Sequence, residues 1–484
     1  MGLGNATFRW FAATAFAAAL FAHVPFARAE QTTLDPASST VQLASDGAAI
    51  ENPASLPGKS TLTSADEKFL DDLESRGVRF FLDSADPVTG LMPDRAKADG
   101  SGPGEIASTA AVGFGLTALC VGDYHGWVSH QEAYDHSLRV LRFLRDHGPQ
   151  EHGYFYHFLN MHTGERAWNC ECSDIDTALL MAGVLTVRQH FPGTELAKLA
   201  NDLYERVDWP WMLSSDGTLS MDWKPEKGFS KARWHDFNEG PLLYLLAMGS
   251  RSHPLPAEAW HKWSREPVIT YAGLTYIQCP PLFTQQYPQV WFDLRGVRDD
   301  YADYFHNSQL ATLAQRQWSM DDLSARFPDY GPNMWGLTAS DTEDGYAAWG
   351  GPPIERKRKA DSKIDGGVTP AAAAGSLAFE PRLCLDDLEN MRARYGTHAF
   401  VKYGFVDAFN PTNDWYDTDV LGIDVGPSVL MAENCRSGYV WHTFMSSPEA
   451  QAALKAAGFR PIDPSDVHPT TSLFTANQTA GSGG

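Results

Sequence analysis

The chain has 484 residues, of which 43% are hydrophobic and 20% are charged, a composition typical of a globular protein with a sizeable core. A formal net charge of −22 repels polyphosphate and anionic membranes, so it argues against a nucleic-acid partner and favours a neutral ligand. The aromatic content is large, with 15 Trp, 17 Tyr and 26 Phe residues, and neutral sugars often stack on aromatic rings.

The N-terminal region predicts an exported protein. Residues 1–29 contain an apolar run from Phe11 to Phe26 and the cleavage pattern Ala27-Arg28-Ala29, which together predict a signal peptide. An uncleaved anchor is the alternative, but the run is short and interrupted by proline. Later segments contain no apolar run long enough to span a membrane, so we expect a periplasmic or secreted protein.

Two further low-complexity segments flank a single large domain. Residues 30–62 are rich in Ser, Thr, Ala, Pro and Gly and predict a flexible linker, and residues 463–484 predict a disordered tail. The domain between them, residues 63–462, opens with Thr63-x-x-Asp66, a pattern typical of a helix start.

Apolar and amphipathic helices alternate through this domain. Apolar patterns that suit buried inner helices cover 106–121, 174–190 and 237–248, and amphipathic patterns that suit outer helices cover 130–147 and 195–207. Shorter helical patterns follow at 257–263, 308–318, 385–395, 427–434 and 447–457. The alternation predicts an all-α fold, a barrel of helical hairpins, whose long loops would form the binding cleft.

Nine Trp residues lie beside polar, turn-like residues rather than inside apolar runs. Most buried aromatics only pack in a core, so we expect about a third of these nine to line a cleft. They are Trp127, Trp168, Trp223, Trp234, Trp291, Trp335, Trp349, Trp415 and Trp441.

Glu239 is the strongest candidate for acid catalysis. Pro241 is tolerated only in a first helical turn, so a helix must begin near Asp236 or Asn238. Glu239 would then lie at a helix mouth beside Trp234, where apolar surroundings would raise its pKa and the helix dipole would oppose the rise. The alternative is structural, because Asp236-x-x-Glu239 also has the spacing of a capping box.

Glycoside cleavage needs two carboxyl groups in different protonation states, and three acidic clusters offer a second one. In the first, Ser173-x-x-Asp176 suits a helix cap and leaves Asp174 free to contact a sugar hydroxyl. The second follows Trp335 and lacks the spacing of a calcium loop, so we expect a turn with Asp341 facing the cleft.

The third cluster has four carboxylates within eleven residues, from Asp414 to Asp424, and includes Trp415. Such crowding perturbs pKa values unless the groups are solvated or partnered. Asp424 is either a helix-start residue or, as the partner of Glu239, the base that activates water.

Other chemistries have little support. The chain has no G-x-S-x-G elbow, Walker loop, H-E-x-x-H or strand-linked G-x-G-x-x-G, so we expect no cofactor. Cys170-x-Cys172 has no matching second pair, which gives only weak support to a zinc site, and we expect no metal site. One or two disulfides could form in an exported protein, and Cys120 suits the core.

Seven segments in order resemble glycoside hydrolase family 144, the bacterial endo-β-1,2-glucanases with a glycoamylase-like domain. The resemblance covers nearly all of 63–462 and includes Asn238-Glu239 and Leu421-Gly-Ile-Asp424. The remaining segments are 106–119, 174–183, 291–296, 335–341 and 403–410, and the seventh extends to residue 427.

The resemblance implies an (α/α)6 barrel without a metal requirement that hydrolyses β-1,2-glucan to sophorose-type oligosaccharides with anomeric inversion. It implies Glu239 as general acid and Asp424 as general base. Residues 240–241 after the glutamate and 236–237 before it depart from the expected pattern, so linkage preference or cleavage mode could differ. From the motifs and clusters together we expect substrate contacts at Asp174, Asp176, Trp234, Arg295, Trp335, Asp341, Asn410 and Trp415.

Several alternatives stay open. Arg295 suits either orientation of a sugar or carboxylate, or a structural ion pair. Relatives in the family act as exo-enzymes or transglycosylases, and a non-catalytic glucan-binding protein would keep the same aromatic cleft. The expected partner is an oligo- or polysaccharide, and we expect a monomer.

Overall fold

The computed structural model describes residues 62–102, 104–348, 350–352 and 364–463. The predicted signal peptide, the linker up to residue 61, Trp349 and the predicted tail from residue 464 lie outside the described residues. Among the described residues, no helix is both long and apolar enough to cross a membrane.

Helices dominate the described part of the chain. Thirteen α-helices are α1 (Ser64–Asp83), α2 (Thr109–His125), α3 (His130–His147), α4 (Asp174–His190), α5 (Glu195–Arg206), α6 (Pro241–Gly249), α7 (Phe283–Trp291), α8 (Tyr304–Trp318), α9 (Pro370–Ala374), α10 (Pro381–Ala399), α11 (Gly422–Arg436), α12 (Tyr439–Met445) and α13 (Pro448–Ala456). Two 3-10 helices, Trp209–Met212 and Ala257–His261, and a π-helical turn, Ser319–Leu323, complete the helical content.

The strands are short, at two to four residues each, and pair antiparallel. They are β1 (Arg95–Lys97), β2 (Ile106–Ser108), β3 (Gln150–Glu151), β4 (Tyr154–Phe155), β5 (Phe158–Asn160), β6 (Cys172–Ser173), β7 (Asp222–Lys224), β8 (Gly228–Phe229), β9 (Val268–Tyr271), β10 (Leu274–Ile277), β11 (Val297–Arg298), β12 (Ala339–Ser340), β13 (Ala347–Ala348), β14 (Phe400–Val401), β15 (Gly404–Phe405), β16 (Phe409–Asn410), β17 (Trp415–Tyr416), β18 (Asp419–Leu421) and β19 (Arg460–Pro461).

The predicted helix starts follow from side-chain caps. The capping box between Thr63 and Asp66 is present at the start of α1, as predicted. Ser129 and Ser173 each accept a hydrogen bond from the third residue of the helix that follows, so α3 and α4 begin where the sequence predicts. Both helices also end at the predicted histidine.

Six helices form an inner set. Helix α2 contacts α4, α4 contacts α6, and α6 contacts α7. Helix α9 contacts α11, which in turn contacts α2. Between α7 and α9, the Gln286 side chain donates a hydrogen bond to the Ala372 carbonyl at 2.9 Å. The inner helices approach closely at glycine: a Cβ atom on Gly183 would lie 2.1 Å from the carbonyl oxygen of Gly113.

An outer set of six helices packs against this inner set. Helices α1, α3, α5, α8 and α10 lie against their inner neighbours, while the C-terminal helix α13 covers α6. The amphipathic patterns of α3 and α5 bury their apolar positions here, as predicted for outer helices. Helix α12 contacts α4, α7 and α11.

The short strands set where the inner helices begin. Strand β2 pairs with β5 directly before α2, β6 pairs with β7 directly before α4, and β18 pairs with β1 directly before α11. The first turns of α4 and α11, which carry the predicted acidic residues, therefore follow fixed strand ends.

All six cysteines are buried and carry free thiols, so the structure has none of the disulfides considered from the sequence. Helix α11 begins at Gly422 rather than near Pro427, because Pro427 lies inside the helix. A proline at this position cannot donate to the carbonyl four residues earlier. That carbonyl, of Ile423, instead accepts a hydrogen bond from the Tyr287 hydroxyl at 2.9 Å.

Candidate active site

The predicted acidic residues cluster where the inner helices begin. Asp174 and Asp176 lie in the first turn of α4, and Asp424 lies in the first turn of α11. Glu239 lies two residues before α6. Tyr287 of α7 lies within electrostatic reach of three of them. Burial raises the pKa of Tyr287 well above its usual value, and the charges of Asp424, Glu239 and Asp176 raise it further.

Glu239 has the electrostatic surroundings of a general acid. Its side chain is half-buried, burial raises its pKa to about 7, and the nearby Asp176 charge adds to the rise. Helix α6 begins at Pro241, after the predicted residues 236 and 238, with Gly240 as N-cap and no side-chain cap. The capping-box alternative therefore does not describe Glu239.

Gly240 lets the chain turn tightly beside the acid. A Cβ atom here would lie 2.7 Å from the Asn238 side-chain oxygen and 3.2 Å from the indole ring of Trp234. The Gly240 N–H also donates to that Asn238 oxygen at 2.8 Å. Gly240, one of the two residues after Glu239 that depart from the family pattern, is thus the residue whose backbone Trp234 packs against.

Trp234 is a supporting residue. It is buried, and its indole N–H lies 2.9 Å from both carboxylate oxygens of Asp174. Burial raises the pKa of Asp174 well above its usual value, and the indole hydrogen bond acts in the opposite direction. The Tyr244 hydroxyl donates to the Trp234 backbone carbonyl at 2.9 Å, so the segment before Glu239 is attached to both α4 and α6.

Asp176 belongs to a row of charged side chains that the sequence did not indicate. Ser173 caps the Asp176 backbone N–H, and the Asp176 carboxylate lies 3.5 Å from Nε2 of His157. The other ring nitrogen of His157 lies 2.9 Å from Glu171. Although burial alone would lower the pKa of His157, the charges of Asp176 and Glu171 raise it to about 9, so this imidazole is cationic at neutral pH.

Asp424 is buried and paired with Asp407. Burial raises the pKa of Asp424 to about 7, while a hydrogen bond from Asp407 lowers it. Burial and the charge of Asp424 raise the pKa of Asp407 well above its usual value. Asp407 therefore holds the proton of this pair and donates it in a hydrogen bond, which leaves Asp424 as the group that ionises near neutrality.

Asp341 and Arg95 complete this side of the site. Asp341 follows β12, its backbone N–H donates to Asp407 at 2.7 Å, and its carboxylate accepts from Arg95 at 2.5 Å. Burial raises the pKa of Asp341 and the Arg95 charge lowers it. Strand pairing fixes Arg95 opposite Leu421, three residues before Asp424, so the guanidinium lies among the carboxylates.

Three predicted contact residues are buried or have their side chains engaged by other parts of the protein. Arg295 follows the C-terminal end of α7, forms a two-pronged ion pair with Asp293 and stacks over the Trp441 ring. Trp335 is completely buried, so its ring offers no face to a sugar. Asn410 is 2% exposed and uses its side chain to hold the loop backbone at Asp365 and Thr412.

Trp415 lies nearer the cluster. It is half-buried on β17, and it lines a small depression with Asp341, Ser340 and Thr369. Among the other Trp residues expected at a cleft, Trp168 is 54% exposed and Trp127 and Trp223 are partly exposed. The buried ones are Trp234, Trp291, Trp335 and Trp441.

The residues that sequence reasoning missed are Asp407, His157, Tyr287 and Arg95. Asp407 is an acid within the apolar segment 403–409, and a charged residue there needs a partner, which is a signal that could have revealed it. His157 and Tyr287 have no comparable local signal, because their partners lie far away in the chain.

The carboxylates of Asp341, Asp417 and Asp419 lie close enough together to hold a metal ion. However, Arg95 already pairs with Asp341, and Lys97 lies 2.6 Å from Asp419. These two cations offset two of the three carboxylate charges, and burial raises the pKa of the third group, Asp417, to about 8, so the charge of the group does not require a metal.

Comparison with known proteins identifies similar chains. The family described as "Glycoamylase: Putative glucoamylase" matches residues 231–448. The chain is 30% identical to an endo-β-1,2-glucanase from Chitinophaga pinensis, solved with sophorotriose and glucose, with a TM-score of 0.74 over 83% of this chain and 99% of that one. It is 25% identical to a β-1,2-glucanase structure from Parabacteroides distasonis, with a TM-score of 0.74 over 82% of this chain and 61% of that one.

A curated relative from the same organism is named exo β-1,2-glucooligosaccharide sophorohydrolase (non-reducing end). The chain is 26% identical to it over 443 residues, which make up 84% of this chain. It spans 60% of that relative's length.

Proposed function

The chain belongs to glycoside hydrolase family 144, and from this premise we propose that it hydrolyses β-1,2-glucan with anomeric inversion. The observation that carries the proposal is the arrangement of Glu239 and Asp424 around Tyr287, each with a pKa raised to about 7. Two carboxyl groups that titrate near neutrality are what acid–base cleavage of a glycosidic bond requires.

Glu239 acts as the general acid. Because its pKa is near 7, a large fraction of the carboxyl groups carries a proton at neutral pH. The proton passes to the glycosidic oxygen as the bond to the anomeric carbon breaks, and the Glu239 carboxylate remains. The nearby Asp176 charge favours the protonated form before the reaction.

Asp424 acts as the general base. It takes a proton from water, directly or through a sugar hydroxyl, and the oxygen attacks the anomeric carbon on the face opposite the leaving group. The hydrogen bond from Asp407 stabilises the ionised form that this role needs. For inversion we expect the two carboxyl groups to be roughly 6.5–9.5 Å apart in the substrate complex.

We also propose that the helices close into an (α/α)6 barrel. The ring of contacts through α2, α4, α6, α7, α9 and α11 supports this architecture, as do the outer helices against them. In this arrangement α13 takes the outer position beside α6, because the chain between α6 and α7 forms no α-helix, only the 3-10 helix Ala257–His261 and the hairpin of β9 and β10.

The proposed mode is endo cleavage, by analogy with the Chitinophaga pinensis enzyme, whose length the chain matches almost completely. Exo release of sophorose is the second candidate, since the curated relative is named for that activity and the chain spans 60% of its length. Product profiles separate the two: endo cleavage gives a ladder of oligosaccharides and a rapid fall in chain length, while exo cleavage gives sophorose from the start.

The decisive experiment measures reducing-end release from linear β-1,2-glucan by wild type and Glu239→Gln. We expect cleavage by wild type and a loss of about 10²–10⁴-fold in the variant. A wild type that binds the glucan without cleaving it would overturn the hydrolase proposal. Chain rearrangement without new reducing ends would instead indicate a transglycosylase.

Export and a monomeric state remain part of the proposal. The predicted cleavage after Ala29 is tested by sequencing the N-terminus of protein recovered outside the cytoplasm. The oligomeric state is tested by light scattering coupled to size-exclusion chromatography.

A further inference from the structure

A second cluster of metal-type ligands lies at the end of the helices away from the catalytic carboxylates. It consists of Asp123 in the last turn of α2, His130 at the start of α3 and His190 at the end of α4. One oxygen of Asp123 lies 2.6 Å from Nδ1 of His130 and 2.6 Å from Nε2 of His190. Asp174 begins the same helix that His190 ends, so roughly 24 Å of helix separates this cluster from the active site.

The donor set is that of a zinc site. Two imidazole nitrogens and one carboxylate oxygen converge with their donor atoms all within 4.8 Å of one another. Zn²⁺ binds such nitrogen and oxygen donors at about 2.0–2.2 Å, and sites with three protein ligands keep a fourth position for water. The ligand atoms would have to separate slightly to admit the ion.

The burial of the three residues suits a site that is fixed on one side and open on the other. The side chains of Asp123 and His190 are 12% and 14% exposed, whereas His130 is 70% exposed. The exposed imidazole of His130 has room to adjust to the ion, and solvent can supply the remaining ligand.

His190 also has the second partner that metal-binding histidines usually have. Its Nδ1 lies 2.5 Å from the Tyr439 hydroxyl. If Nε2 binds the ion, the Nδ1 proton is donated to the Tyr439 oxygen, and this fixes the tautomer and the ring orientation.

The electrostatic surroundings favour a cation. Asp123 and His190 both lie in C-terminal turns, where the helix dipole is negative, although His130 at the start of α3 experiences the opposite sign. The formal net charge of −22 further raises the local concentration of cations.

We propose that Asp123, His130 and His190 bind one Zn²⁺ ion that joins the ends of α2, α3 and α4. The ion would stabilise the fold rather than take part in catalysis, since the length of α4 separates it from the acidic residues of the candidate active site. Bound zinc would stabilise the first two helical hairpins of the domain, because it binds the folded arrangement and not the unfolded chain.

The test is calorimetric titration of tag-free, EDTA-treated protein with Zn²⁺, because an affinity tag of histidines would itself bind zinc. We expect one saturable site in the wild type and at least a tenfold loss of affinity in His130→Ala, whose exposed side chain can be removed without unfolding the protein. Saturating zinc should raise the melting temperature of the wild type by about 3 °C and leave that of His130→Ala unchanged.

His162→Ala is the matched control. His162 is also exposed and lies 2.6 Å from a carboxylate, Asp86, but within the described part of the chain these two residues belong to no group of three possible metal ligands. It should bind zinc like the wild type. Absence of saturable binding in the wild type, or equal binding by His130→Ala, would overturn the proposal and leave a hydrogen-bonded cluster. Co²⁺ in place of zinc gives a visible absorption spectrum, and the bands that report histidine ligation should be lost in His130→Ala.

Discussion

The indole N–H of Trp234 lies 2.9 Å from each of the two carboxylate oxygens of Asp174. This contact joins the first turn of α4 to the segment that carries Glu239, five residues after Trp234. An indole that the sequence predicts to contact the substrate therefore contacts another side chain of the protein. Its role is to satisfy a completely buried carboxyl group in the first turn of α4.

Replacing Trp234 by Phe should destabilise the fold and impair catalysis. The Asp174 carboxyl group would lose a hydrogen bond in a buried position, at a cost of about 1–3 kcal/mol beyond the loss of ring volume. The free energy of unfolding, measured in urea, checks the stability effect, and kcat on β-1,2-glucan checks the displacement of Glu239.

Trp335→Phe is the control for ring volume. Trp335 is equally buried, but its indole nitrogen has no hydrogen-bond partner among the described residues. Its substitution therefore removes similar packing and no hydrogen bond. Equal losses of stability in the two variants would contradict the importance of the Trp234–Asp174 contact.

The pH dependence of kcat/KM should be bell-shaped and narrow around neutrality. Glu239 must be protonated, and its pKa is about 7, so activity should fall as the pH rises above this value. Asp424 must be ionised, and its pKa is also about 7, so activity should fall as the pH drops below it. A profile flat between pH 5 and 9 would contradict both assignments.

Glu239→Gln should respond to the leaving group in a way that identifies an acid. The variant should recover activity on an aryl sophoroside with an acidic phenol, because such a leaving group departs without protonation. Glu132→Gln is the control, since Glu132 is exposed at the start of α3. A variant equally impaired on both kinds of substrate would indicate that Glu239 has another role.

Local sequence information predicted the helices better than it predicted the site. Ser129 and Ser173 specify their helix starts through hydrogen bonds to the next few residues, so a short window of sequence contains the whole signal. The start of α6 was predicted less well, because Gly240 provides no side-chain cap and Pro241 itself begins the helix.

The site depends on contacts between distant segments, which no short window contains. Asp407 and Asp424 interact across seventeen positions of the chain, and His157 meets Glu171 across fourteen. The sequence does indicate Asp174, Asp176 and Glu239, because each of these acids lies beside a helix start. The motif around Arg295 suggests a role in the site, yet its guanidinium forms a two-pronged ion pair with Asp293, only two residues away in the chain.

Asp407→Ala should move the acidic limb of the activity profile to higher pH. The hydrogen bond from Asp407 lowers the pKa of Asp424, so its loss should raise that pKa and reduce the ionised fraction at neutral pH. Asp407→Asn is the matched variant, since its amide can donate to Asp424 and still accept from the Asp341 N–H. The two variants should therefore differ, and identical profiles measured from kcat/KM would contradict a hydrogen-bonding role for Asp407.

His157→Gln should destabilise the protein in a pH-dependent way. The pKa of His157 is raised from 6.5 to about 9, so its stabilising effect is complete below pH 6.5 and is lost as the pH rises through 9. The pKa of Glu171 is lowered from 4.5 to about 2, so its contribution is present above pH 4.5 and is lost as the pH falls through 2. The pair should stabilise the fold most between these limits.

Urea unfolding at pH 5.5 should therefore show the largest difference between wild type and His157→Gln, on the order of 2–3 kcal/mol. The difference should shrink steadily as the pH approaches 9. His162→Gln is the control, because the His162–Asp86 pair has a 63% exposed imidazole, and exposed ion pairs contribute little. A loss of stability in His157→Gln that stays constant from pH 5.5 to 9 would mean that the imidazole matters for packing and that its charge does not.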